Sequence, residues 1–180
     1  MTKKSSLGHP FHKSGIHYSL LHHTAGALLT MTNSATSAFR APVRILIVDD
    51  VEPWRRSVCS ILRAQERLHV VDQAGDGLEA VQKSQELRPD LILLDIGLPH
   101  LSGIEAASRI SKVAPGSKVL FLTQNLDADV ARMALSNGAK GYVLKVDAAK
   151  ELLPAIEAAL GGERFISRRL QEFSMPVLPS

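Results

Sequence analysis

From Val43 onward, short apolar runs and amphipathic stretches follow one another in an order that predicts an α/β fold, an open doubly wound sheet of five parallel strands. Three observations carry that expectation. Five runs of four to seven residues are rich in Val, Ile and Leu without polar alternation, as strands buried on both faces are. Each run is followed by a stretch whose apolar residues recur at helical spacing, which gives a βαβ rhythm. Turn and capping residues fall at the joints between them.

The first run is 43–48. Pro53 suits the first turn of the helix after it, in which Trp54, Val58, Ile61 and Leu62 share one face. The second run, 68–74, leads to Asp76 as N-cap and to a helix whose apolar face holds Leu78 and Val81. The third, 90–94, precedes a helix with Ile104, Ala107 and Ile110 on one side. After the fourth, 118–122, Asp127 caps a helix carrying Val130 and Ala134, which Asn137-Gly138 closes with a left-handed residue. The fifth, 141–144, is followed by Leu152, Ile156 and Leu160 on the last helix. Trp54, the only tryptophan, is expected to pack in the core.

Composition bounds the rest. A chain of 180 residues with 45% apolar and 4% aromatic content buries one core of ordinary size, hence one folded domain. No internal repeat or membrane-spanning run interrupts it. The single cysteine, Cys59, excludes an internal disulfide framework and reads as an inert helix residue, which suits a cytoplasmic setting. Residues 1–43 contain no Asp or Glu and four basic residues, Lys3, Lys4, Lys13 and Arg40, whereas 44–180 carries 17 basic and 18 acidic residues. The formal +3 therefore belongs to the leader and marks no nucleic-acid face on the folded part.

Residues 1–42 hold His9, His12, His17, His22 and His23 among Ser, Thr, Gly and Ala and read as a disordered basic His/Ser-rich extension. The His22-His23 pair interrupts the only run resembling a secretory core, and the histidine spacings match no closed metal site. Met31 offers a later translation start, in which case the leader is a mis-assigned beginning.

In open α/β sheets the ligand site lies at the carboxyl ends of the strands. Here strand one runs into Asp49 and Asp50, strand three into Asp95, strand four into Thr123 and strand five into Lys145. Three crowded carboxylates repel one another unless a cation sits among them, and all-oxygen ligation with room for water favours Mg2+. A phosphoryl group at such a metal would have its oxygens neutralised by the ion and by Lys145, with Thr123 as a hydroxyl donor and Asp95 as the nucleophile.

The segments ILIVDD ending at Asp50, PDLILLDIGLP around Asp95, KVLFLT ending at Thr123 and GAKGYVLK ending at Lys145 together resemble the receiver domains of bacterial two-component response regulators, over residues 43–167. That resemblance implies a flavodoxin-like (βα)5 fold with strand order 2-1-3-4-5. It makes Asp95 the acceptor of a phosphoryl group from a sensor histidine kinase or phosphotransfer protein. It gives Asp50, Asp95 and the Gly97 carbonyl as Mg2+ ligands, with Asp49 holding metal-bound water. Thr123, Lys145 and Tyr142 match the remaining positions, Thr123 and Tyr142 forming the switch that repacks the face of helix four, strand five and helix five. Gln124 departs from the small residue usual there and bears on phosphoryl lifetime; Leu98 in place of Met is a mild change. GAKGYVLK and the AALGGERFIS run look most like receivers that carry a helix-turn-helix DNA-binding domain, but after Gly162 only 18 residues remain. The expectation is therefore a stand-alone, non-enzymatic phospho-switch with 168–180 as a tail. It would act by protein contact without direct DNA or membrane binding, and possible homodimerisation falls to its last helices. The alternatives are a phosphorylation-independent interaction module, a truncated DNA-binding regulator and a small Mg-dependent phosphatase.

Overall fold

The computed structural model describes residues 41–174. Readings of the leader, and of the chain after Ser174, lie outside these residues. The elements run β1 (Val43–Val48), α1 (Glu52–Arg63), β2 (Leu68–Ala74), α2 (Gly77–Leu87), β3 (Leu91–Leu94), α3 (Gly103–Val113), β4 (Lys118–Thr123), α4 (Ala128–Ser136), β5 (Gly141–Leu144), α5 (Ala148–Gly161), β6 (Phe165–Ile166) and α6 (Arg168–Ser174). A single 3-10 turn, Lys145–Asp147, joins β5 to α5. All strands are parallel in the order β2-β1-β3-β4-β5-β6.

The first five strands lie where the apolar runs are. The count of five is corrected to six, because β6 pairs with the outer edge of β5, Gly141 opposite Phe165 and Tyr142 opposite Ile166. Two residues are too few to show a strand period. The segment read as a tail from 168 begins with the short helix α6.

Alternate strand residues feed two cores, one on each face of the sheet. Ile45, Ile47, Leu91, Leu93, Leu120, Leu122 and Val143 pack with α1 and α5 through Val58, Leu62, Leu152, Ile156 and Ala159. Leu46, Val48, Ile92, Leu94, Phe121 and Tyr142 pack with α2, α3 and α4. Continuous apolar runs are what a sheet covered on both faces requires, and β1, β3, β4 and β5 follow that rule; β2, at the edge of the sheet, is only partly buried between Leu68 and Ala74 and departs from it. Pro154 stands inside α5 without ending it; the buried Leu152, Ala155, Ile156 and Ala159 hold that helix against the sheet.

Helix α2 keeps part of the expected face, Val81 packing partly buried against the core, and departs from it at Leu78. Leu78 is exposed, and the buried positions are Gly77, Ala80 and Ser84. Small residues bring α2 close to the chain leading into α3, where a Cβ on Gly77 would meet the Leu101 carbonyl oxygen at 2.0 Å. The apolar Leu78 cannot occupy that contact.

The capping residues sit as the sequence predicts. The Asp127 carboxylate accepts from the amides of Asp129 and Val130, and the Asp76 carboxylate from those of Leu78 and Glu79, both at 2.8 Å. Asp76→Ala leaves those two amides without their side-chain acceptor and is expected to cost about 1–2 kcal/mol, measured as a reduced denaturant midpoint with an unchanged slope. Gly138 takes φ +98° after α4, as a left-handed residue there must. Cys59 is free and buried, and burial pushes its thiol up, in keeping with an inert residue. Among the described residues no helix is long and apolar enough to cross a membrane.

Candidate functional site

Parallel pairing brings the strand ends level. Val48 stands opposite Leu94 in the β1–β3 register, so Asp49 and Asp95 leave neighbouring strands side by side. The Asp95 amide donates to the Val48 carbonyl at 2.9 Å, and the Asp49 amide to the Ala74 carbonyl at 3.1 Å. Thr123 stands opposite Leu144 in the β4–β5 register, and Lys145 follows at once. Residues up to 96 positions apart thus gather on one edge of the sheet.

One carboxylate oxygen from each of Asp49, Asp50 and Asp95 lies within 4.8 Å of the others. Asp49 and Asp95 are 2% and 6% exposed, whereas Asp50 faces solvent. The Lys145 ammonium, itself buried, donates to Asp49 Oδ2 at 2.6 Å and to Asp95 Oδ2 at 2.5 Å. The other oxygen of Asp95 accepts from the amides of Ile96 at 2.6 Å and Gly97 at 3.3 Å, and Asp49 Oδ1 accepts from Val51 at 3.0 Å. Gly97 itself is exposed in the loop after β3.

The electrostatics follow from this geometry. Burial raises the Asp49 carboxyl, and the hydrogen bonds from Lys145 and Val51 offset that only in part, with the Asp95 charge adding to the rise. Burial alone would lower the Lys145 ammonium, but hydrogen bonds and charge from Asp49 and Asp95 outweigh it and hold it above its ordinary value. Three carboxylates face one ammonium, which leaves two negative charges uncompensated when all are ionised. A hard divalent cation with oxygen ligands fits that deficit, and the exposed Asp50 leaves it open to water.

Thr123 is buried beside this cluster, and its Oγ1 accepts from the Asn125 amide at 3.3 Å. Tyr142 is fully buried with its hydroxyl donating to the Asn125 carbonyl at 2.9 Å, and its ring centroid lies 6.2 Å from that of Phe121. Burial first, then the charges of Asp127 and Asp95, push the Tyr142 phenol far up, so it stays a donor. Asn125 thereby links Thr123 to Tyr142. Sequence reasoning passed it over, since an Asn two residues beyond a strand reads as a turn former, which it also is through its bond to the Asp127 amide.

Trp54 serves more than the core. Its ring packs partly against the α1 and α5 side, with the Lys145 ammonium 5.7 Å from the ring centroid. It lines a shallow depression with Thr123, Gln124, Leu126 and Val146 at the mouth of the cluster. Gly103 was also missed. It opens α3 directly against the carbonyl of Asp95, and its amide donates to the Ile96 carbonyl at 2.9 Å.

Comparison with known proteins bears on the family of the chain. The model of the response regulator receiver domain matches residues 45–157. The chain is 39% identical over 129 residues to the oxygen regulatory protein NreC of Staphylococcus epidermidis, covering 71% of this chain and 59% of that protein. It is 37% identical over 121 residues to the response regulator protein VraR of Staphylococcus aureus, covering 67% and 58%. The chain thus spans less than two thirds of the length of these relatives. Among solved structures, a two-component response regulator of the LuxR family from Aurantimonas sp. aligns with a TM-score of 0.70 at 32% identity, over 73% of this chain and 94% of that one. The response regulator domain of Thermotoga maritima CheB aligns with a TM-score of 0.63 at 36% identity, over 67% and 97%. A family match across most of the described sheet, together with relatives above 30% identity, shows that this chain belongs to the response regulator receiver family.

Proposed function

We propose that this chain is a phosphorylation-dependent switch of two-component signal transduction that accepts a phosphoryl group on Asp95. One observation carries the reading: Lys145 is held between Asp49 and Asp95 while the acidic cluster keeps two charges uncompensated. A purely structural ion pair would balance its charges; this one is built to take a cation and then an anion.

Asp49, Asp50, Asp95 and the Gly97 carbonyl are the groups that would hold Mg2+, which supplies charge neutralisation for the phosphoryl oxygens. The chain's own residues do the rest. An Asp95 oxygen attacks phosphorus, the P–N bond of a phosphohistidine donor breaks, and the imidazole leaves with the electron pair. Lys145 neutralises a phosphoryl oxygen, and the Thr123 hydroxyl, released from Asn125, donates to another. The loop at Asn125 then moves and with it the partner of the Tyr142 hydroxyl, which biases the packing beside α4 and β5. The donor is a sensor histidine kinase or phosphotransfer protein, the output is a protein contact, and the setting is cytoplasmic. The chain acts as phosphoacceptor rather than enzyme, with Gln124 at the mouth governing how long the phosphoryl group lasts.

The protein incubated with Mg2+ and a small phosphodonor is expected to gain about 80 Da, one phosphoryl group, and to gain nothing when a chelator is present from the start. No adduct with any donor would overturn the proposal.

A further inference from the structure

Beyond the segment that the family model matches, Ser167 takes up a position with consequences for Lys145. Strand β5 is four residues long, and β6 pairs with it only as far as Tyr142. The next free edge amide, that of Leu144, donates to the Ser167 hydroxyl at 2.9 Å. Ser167 is fully buried; its hydroxyl in turn donates to Glu151 Oε2 on α5, and its own amide donates to the Tyr142 carbonyl at 2.8 Å. Glu151 also accepts from the Arg168 amide at 3.2 Å. On the other side of Lys145, Asp147 accepts two bonds from the Arg169 guanidinium, at 3.1 and 3.2 Å. The chain is therefore gripped at Leu144 and at Asp147, immediately before Lys145 and two residues after it. The gripping residues all come from 167–169 and from α5. Buried Leu170 seats the same segment, and α6 touches α4.

We propose that Ser167, seconded by Glu151 and Arg169, is a positioning clamp that sets the reach of Lys145 to the phosphoryl site and couples α6 to it. The clamp deepens the proposed function and rests on it. A fixed backbone at 144–147 lets the Lys145 ammonium span the 2.6 and 2.5 Å contacts to two carboxylates from different strands. A loosened one lets it settle on one of them and leave the incoming anion uncompensated. By linkage, whatever tightens the site at Asp95 tightens the clamp, so α6 reads the state of Asp95.

The test uses the full chain with beryllofluoride, a phosphoryl mimic, in Mg2+, with binding followed by the fluorescence of Trp54 next to Lys145. Ser167→Ala is expected to weaken beryllofluoride binding about fivefold or more and Arg169→Ala about threefold, while half-saturation by Mg2+ alone changes by less than about 1.3-fold in either. In the wild type, beryllofluoride is expected to slow hydrogen exchange of the Leu144 amide. Should Ser167→Ala fail to fold, Arg169→Ala, which removes only a half-exposed ion pair, decides the matter. Variants that bind beryllofluoride as the wild type does, or that lose Mg2+ and beryllofluoride in equal measure, overturn the clamp alone. A wild type that binds no beryllofluoride and gains no phosphoryl mass overturns the switch itself and the clamp with it.

Discussion

Asp95→Ala is expected to abolish the phosphoryl adduct altogether while leaving the protein folded. The buried Asp95 carboxylate takes Lys145 on one oxygen and the Ile96 and Gly97 amides on the other. Asp49 is the other buried carboxylate, tied to Lys145 and to the amide of Val51 in the loop between β1 and α1, and Asp50 faces solvent. If either served as acceptor, an adduct would survive the substitution, and mass spectrometry under the wild-type conditions would show it. Asp95→Asn sharpens the test because it keeps the shape and removes the charge. Burial still raises the Asp49 carboxyl in that variant, but one of the charges that adds to the rise is gone. The Asp49 titration, followed by carboxyl-carbon NMR, is therefore expected to move to lower pH. A move upward would mean that the two carboxylates do not share one field.

Gly103→Ala is expected to be the most damaging single-methyl change in the described part of the chain. An added Cβ would stand 1.9 Å from the Asp95 carbonyl oxygen and 2.8 Å from its carbonyl carbon. Both obstacles are backbone, so no side-chain rotation relieves them. Either α3 moves off the sheet or the segment that presents Asp95 moves. Overpacking of this kind costs about 3 kcal/mol or more, which for a domain of this size lowers Tm by roughly 6–12 °C. The same variant should take up phosphoryl more slowly even where it is folded, because the displaced segment carries the acceptor. Gly116→Ala is the control. Its Cβ meets nothing within 4 Å, and its cost should stay within about 0.5 kcal/mol. Equal stability of the two variants would show that α3 accommodates the methyl without strain.

Several parts of this protein were legible without coordinates because they depend on local or periodic properties. Apolar runs without alternation mark strands covered on both faces, and Asp76, Asp127 and Gly138 are suited by side chain or by φ to the ends they occupy. The exposure of Leu78 was not legible. Periodicity places Leu78 and Val81 together, but the closeness of α2 to the start of α3 assigns the inner face to Gly77, Ala80 and Ser84. Likewise the role of Trp54 beside Lys145, the bridging by Asn125 and the sixth strand rest on pairs of residues far apart in the chain.

The sequence by itself determined which strands end in Asp49, Asp50, Asp95, Thr123 and Lys145, because strand length and polarity are written residue by residue and a parallel sheet sends all its carboxyl ends to one edge. Only the tertiary structure decided how those groups share charge. That one ammonium is divided between two carboxylates, that Thr123 and Tyr142 meet at Asn125, and that Ser167 and Arg169 grip the chain around Lys145 all depend on distances of a few ångströms between segments remote in sequence. Hydrogen bonds and buried charges fall off too steeply with distance and angle for residue order to specify them.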